Sequence, residues 1–189
     1  EGRSLAQVID DVRYAVRSGQ ADGATELVRL VRWFRQVCDG VAFAHEQRIA
    51  HRDLKPDNVM IGDFGEVRVM DWGLAKVQGL DGFGHSTGIS TGSHRVVTTR
   101  SHKPAYITRS GSVAGTPNYM PPEQARGEAA DNRSDLYSVG VMMYQALTGE
   151  VPFQARGAMA MALCHIKDPY PPMASRAPLV PVHEDIESI

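Results

Sequence analysis

The sequence predicts an α+β fold, mainly α-helical, with one short β-hairpin that carries a group of polar residues. Three observations predict it. Apolar residues recur at helical spacing from Leu5 to Glu46, a nearly unbroken apolar stretch runs from Ser134 to Gly149, and two β-type runs flank a glycine-containing turn between Val59 and Met70.

Ser4-Leu5-Ala6-Gln7 has the pattern of a capping box, and Leu5, Val8, Ile9, Val12 and Val16 form one stripe, so a first helix is expected to end at Gly19. A second helix is expected from about Thr25 to Glu46, burying Leu27, Val31, Phe34, Cys38, Val41 and His45. Each large apolar side chain buried this way contributes about 1.5 to 3 kcal/mol. This helix leads into the polar run His51-Arg52-Asp53-Leu54-Lys55-Pro56-Asp57-Asn58. Val59-Met60-Ile61 then reads as a strand, Gly62 to Glu66 as a hairpin turn and Val67 to Met70 as the return, which delivers Asp71 beside Asn58. The stretch 134–149 is apolar nearly all round and belongs inside a domain. Asp135 at its start is costly to bury unpaired, so it is expected to accept backbone N–H bonds. Beyond Gly149, Val151-Pro152-Phe153 stops that helix and Ala155 to Lys167 forms another. Pro169, Pro171, Pro172, Pro178 and Pro181 make an irregular connection, and His183 to Ile189 begins a further helix.

Composition bounds the function classes. At 189 residues and 42% hydrophobic content the chain buries a sizeable core. A net charge of -2 argues against nucleic acid or a charged membrane as the main partner. Cys38 and Cys164 read as reduced thiols, no apolar run reaches membrane-spanning length and no signal peptide opens the chain, so a cytoplasmic segment without membrane contact is expected.

The polar run points to phosphoryl transfer, whose loose transition state asks a protein for positioning and for cations against the phosphate oxygens. Mg²⁺ takes oxygen donors and only one or two carboxylates. Asn58 and Asp71 are such donors, Asp53 is placed to accept the proton of an attacking hydroxyl, and Lys55 offers a point charge to the phosphate.

From His51 to Asn58 the chain resembles the eukaryotic-like serine/threonine protein kinases, particularly the bacterial ones, matching H-R-D-L-K-P-x-N at every fixed position. The resemblance implies the larger lobe of a kinase fold, with ATP and Mg²⁺ as cofactors (Mn²⁺ as the alternative) and protein serine or threonine as substrate. It makes Asp53 the catalytic base, puts Lys55 on the phosphate and Asn58 and Asp71 on the metal, and sets Leu5 and Met60 beneath the adenine. His51 and Trp72 would continue an apolar stack. Asp63-Phe64-Gly65 spells the family's D-F-G literally, but the spacing puts it at the hairpin tip. Asp71-Trp72-Gly73 therefore takes that role, with Trp72 in place of phenylalanine.

A second block, Gly115-Thr116-Pro117-Asn118-Tyr119-Met120-Pro121-Pro122-Glu123, resembles the family's substrate-docking loop and A-P-E motif. It implies Thr116 contacting Asp53 and Lys55, and Glu123 pairing with an arginine beyond Ile189. Residues 71–123 would be the activation segment, with a flexible insert at about 78–105. Arg52 would receive a phosphate on Thr108, Ser110 or Ser112, with Thr98 and Thr99 further back. His85, His94 and His102 lack ligand-like spacing and read as solvated loop. The resemblance also implies that Asp135 anchors the catalytic loop.

The family's smaller lobe has no counterpart between Glu1 and Ile189: Gly79 to Gly84 is glycine-rich but is not followed by the required strand and lysine. Residues 1–189 thus read as a partial kinase domain whose first partner is the N-lobe of the same chain. Taken alone, such a lobe is expected to bind ATP weakly and to expose an apolar patch. A membrane tether outside the segment is compatible with this. The function classes are an active protein serine/threonine kinase lobe, a catalytically inactive kinase-like scaffold and a small-molecule phosphotransferase. Thr116 and the Pro-Pro-Glu motif disfavour the last.

Overall fold

Helix α1 (Leu5–Arg17) starts at Ser4, whose hydroxyl accepts from the Gln7 N–H while the Gln7 side chain accepts from the Ser4 N–H. This reciprocal cap satisfies two donors that the first helical turn leaves open. The computed structural model describes residues 2–77, 117–176 and 178–180. Before α1, Arg3–Ser4 forms β1, a strand that the sequence did not announce.

Helix α2 (Gly23–Glu46) is capped by Asp22, which accepts from Thr25 N–H at 3.0 Å. It buries Leu30, Trp33, Phe34, Val37, Val41 and Ala44. Val31, expected on that face, is 48% exposed, and Cys38 is exposed too. The buried stripe is thus rotated from the expected one, with Phe34 and Val41 common to both. The larger Leu30 and Trp33 face the core, and Arg29 lies 5.1 Å over the Trp33 ring while pairing with the buried Glu26 at 2.8 Å.

After α2 come β2 (Ile49–Ala50), β3 (Val59–Ile61), β4 (Val67–Val69) and β5 (Lys76–Val77). β3 is the centre of a three-stranded antiparallel sheet ordered β1-β3-β4, with Ser4 opposite Met60 and Met60 opposite Arg68. β2 pairs antiparallel with β5, Ala50 opposite Lys76. Gly65 turns the chain between β3 and β4 with a φ of 83°, a conformation open to glycine. Phe64 at this tip is 99% exposed.

Helix α3 (Pro122–Ala125) is one turn. Helix α4 (Asn132–Thr148) follows a capping box of Asp131 with Ser134 and packs Val139, Val141, Met142 and Leu147 into the core with Leu5, Ile9, Leu30, Val37, Leu54 and Val59. It is not enclosed on all sides as its composition suggests: Leu136 is 60% exposed and Gly140 also meets solvent. Gly149 ends it with a φ of 78°, and a Cβ there would stand 2.9 Å from Leu179 Cδ1. Helix α5 (Ala158–Lys167) starts three residues later than expected, after Gly157, and Met173–Arg176 forms a 3₁₀ turn in the proline-rich connection. Among the described residues no helix is long and apolar enough to cross a membrane. The helix expected from His183, the insert at 78–105, Thr108, Ser110, Ser112 and Thr116 lie outside the described residues.

Candidate active site

The loop between β2 and β3 is held in shape mostly by side chains that bond to its main chain. Asp135, 1% exposed at the start of α4, accepts from His51 N–H at 2.8 Å and Arg52 N–H at 2.7 Å, and its Oδ2 also meets His45 Nε2 at 2.7 Å. A buried carboxylate is tolerated where donors surround it, and here two are main-chain groups that would otherwise be orphaned. Arg52 adopts a φ of 71° and Asp71 a φ of 58°, both in the left-handed region that costs a non-glycine residue energy.

Asp53, Lys55 and Asn58 converge. The Asp53 carboxylate lies 3.3 Å from Lys55 Nζ, both side chains being about one-fifth exposed (23% and 20%). Asn58 donates its amide to the Asp53 carbonyl at 2.8 Å and approaches the Asp53 carboxylate at 3.4 Å. Its own carbonyl accepts from Met70 N–H at 2.7 Å, which seats Asp71 next to it in the chain beyond β4. Asp71 is exposed, and its carboxylate accepts from Gly73 N–H at 3.4 Å. His51 is fully buried, bonds the Met70 carbonyl through Nε2 at 2.8 Å and meets the Trp72 ring at 4.6 Å between centroids with the planes tilted by 58°. The Trp72 indole donates to the Val69 carbonyl at 3.1 Å.

Met60 is half-buried, whereas Leu5 has no exposed surface. Leu5 is the first residue of α1 and packs in the core. Glu123 accepts from the Ser134 hydroxyl within the described residues. Ser138 donates to the Tyr119 carbonyl at 2.9 Å and Tyr119 donates to Gln145 at 2.7 Å, so α4 carries the 117–125 block as well as the 51–58 loop. Burial pushes the Tyr119 hydroxyl up to about 12, with the nearby Asp57 charge adding to it. It stays a neutral donor.

Residues 4–175 match the protein kinase domain family. The chain belongs to the protein kinase family. It is 40% identical over 156 residues to the serine/threonine-protein kinase pkn3 of Myxococcus xanthus, covering 79% of this chain and 24% of the relative. It is 37% identical over 161 residues to PknD of Protochlamydia amoebophila, covering 84% and 16%, and likewise 37% over 161 residues to PknB of Mycolicibacterium smegmatis, covering 85% and 22%. The chain thus spans between 16% and 24% of the length of these bacterial relatives.

Two residues of this kinase domain that bond to the 51–58 loop or to its anchor Asp135 were not singled out from the sequence as site residues. His45 sits in an otherwise apolar helical stripe and read as part of it, yet it faces Asp135. Gln124, 3% exposed, donates to the Arg52 carbonyl at 3.1 Å. An amide immediately after the Pro-Pro-Glu motif was the available signal. Among the described residues no three His, Cys, Asp or Glu side chains cluster as a metal site. Asn58 and Asp71 would offer an amide oxygen and one carboxylate, hard oxygen donors of the kind that suit Mg²⁺.

Proposed function

We propose that this chain supplies the catalytic lobe of a protein serine/threonine kinase that passes the γ-phosphate of ATP to a serine or threonine of a protein substrate. The observation that carries the reading is the junction at Asn58. Its side chain is bonded to the Asp53 carbonyl and its main chain to Met70 N–H, so that the loop carboxylate and Asp71 are tied to one residue.

In this reading the Asp53 carboxylate accepts the proton of the substrate hydroxyl, while Lys55, 3.3 Å away, holds the carboxylate in place and offers its charge to the transferring phosphate. With the Asn58 amide nitrogen engaged, its side-chain oxygen is left to face a cation together with the Asp71 carboxylate. When bound there, Mg²⁺ would supply charge neutralisation to the phosphate oxygens. Half-buried Met60 would lie beneath the adenine. Thr116 would contact Asp53 and Lys55, and a phosphate on Thr108, Ser110 or Ser112 would pair with Arg52, whose buried Nε has no hydrogen-bond partner among the described residues. The kinase-named relatives support the protein-substrate class.

The deciding experiment is Asp53→Asn in the full-length gene product. Transfer to protein is expected to fall by at least about a hundredfold while ATP binding persists, because the substitution keeps shape and removes the proton acceptor. Undiminished turnover would falsify the assignment. Alanine at Thr108, Ser110 and Ser112 together is expected to lower activity, and a fully active triple variant rejects the phosphate role of Arg52.

A further inference from the structure

The Arg52–Asp53 peptide is held at both of its polar ends. Its carbonyl accepts from the Gln124 amide at 3.1 Å, and its N–H, that of Asp53, donates to His51 Nδ1 at 3.3 Å. One residue earlier, the Arg52 N–H is fixed by Asp135 at 2.7 Å. Arg52 needs such restraint because a φ of 71° on a residue with a Cβ is maintained only where the surroundings over-determine it. If the carbonyl were released, the peptide plane could rotate toward a relaxed conformation and carry the Asp53 carboxylate with it.

Gln124 does not belong to the catalytic loop. It lies on α3, directly after the 117–121 block, and α3 is itself fastened to α4 through Glu123 and Ser134. The block is fastened to the same helix through Ser138 and Tyr119. Gln124 is 3% exposed, and its amide N–H fills a need that neither an apolar side chain nor a carboxylate could meet. A part-buried carbonyl that loses its donor loses more than an ordinary surface bond would.

We infer that Gln124 is a positioning residue: its amide clamps the Arg52–Asp53 peptide and couples the seating of the docking block to the aim of the Asp53 carboxylate. This rests on the proposed kinase function, in which 115–121 receives the protein substrate and Asp53 takes its proton. A block that is displaced withdraws the amide, and the base loses its alignment. A block in place restores it.

The test uses Gln124→Met, which keeps the shape without a donor, and Gln124→Glu, each in the full-length gene product. Single-turnover phosphoryl transfer with Gln124→Met is expected to fall about tenfold, the scale of one lost hydrogen bond at a part-buried acceptor, with KM for ATP and protein substrate within about twofold of wild type. Amide hydrogen exchange in the segment 51–54 is expected to rise. Gln124→Glu has a signature that packing alone does not produce: its carboxyl regains a donor on protonation, so its rate relative to wild type climbs as pH is lowered. Unchanged transfer and exchange in Gln124→Met, or a Gln124→Glu defect that is the same at every pH, overturns the clamp. If the wild-type protein transfers no phosphate while exchange at 51–54 still rises in Gln124→Met, the kinase reading falls and the clamp stands.

Discussion

Three non-glycine residues among those described adopt positive φ: Arg48, Arg52 and Asp71. Two of them stand in the candidate site, where tertiary bonds impose the conformation. Arg48, by contrast, sits in the chain reversal after α2, with its N–H on the His45 carbonyl at 2.9 Å. Nothing asks for a side chain there, so Arg48→Gly is expected to stabilise the protein by about 0.5 to 1 kcal/mol, read from the denaturant midpoint. The left-handed backbone at Arg52 and Asp71 was not legible in the sequence. Arginine has no local preference for it, and the bonds that hold Arg52 come from Asp135 and Gln124, far along the chain. The run at positions 51–58 was legible because it matches the protein kinase pattern at every fixed position.

The start of α1 was readable, whereas α2 and α4 begin at Gly23 and Asn132, before the expected Thr25 and Ser134, although Asp22 and Asp131 cap them. Ser4 with Gln7 placed α1 to the residue, since the cap is a local bond between near neighbours. The buried face of α2 was less readable. Val31 and Cys38 follow the helical period as well as Leu30 and Val37 do, and only the position of the neighbouring elements decides which stripe turns inward. Helix α4 contributes most to the site. Replacing Asp135 by alanine leaves the His51 and Arg52 N–H groups without their acceptor in a dry interior. A loss of about 2 to 5 kcal/mol is expected in equilibrium unfolding, and a loss below 1 kcal/mol would mean that water or another acceptor takes the carboxylate's place. At the other end of the helix, Gly149→Ala is expected to cost about 1 to 3 kcal/mol, because it combines a left-handed φ of 78° with a contact at 2.9 Å on Leu179.

At the scale of the molecule, family membership and a mainly helical kinase domain follow from short motifs in fixed order, while the couplings between distant segments do not. One of these is His165 on α5, 5% exposed, with Nδ1 at 2.7 Å from the Tyr137 hydroxyl and its ring edge-on to Phe153. Burial holds its pKa below the ordinary 6.5, only partly opposed by the Pro117 and Asn118 backbone. The unfolded chain therefore takes up the proton first as pH drops. The stability this histidine confers is complete above about pH 6.5 and drains away as pH falls toward the folded-state value. Wild type is expected to lose denaturant resistance between about pH 7 and pH 5, and His165→Gln to flatten that slope; parallel slopes would show that other groups govern the acid limb. Two further chain segments hang from α4, the loop at 51–53 through Asp135 and the stretch 119–123 through Ser138 and Ser134. Sharing one beam makes their thermal jitter common to both. Breathing that leaves both attachments intact then displaces the pair as a body, and only a stretch 119–123 that lets go of Ser138 and Ser134 changes the gap between them.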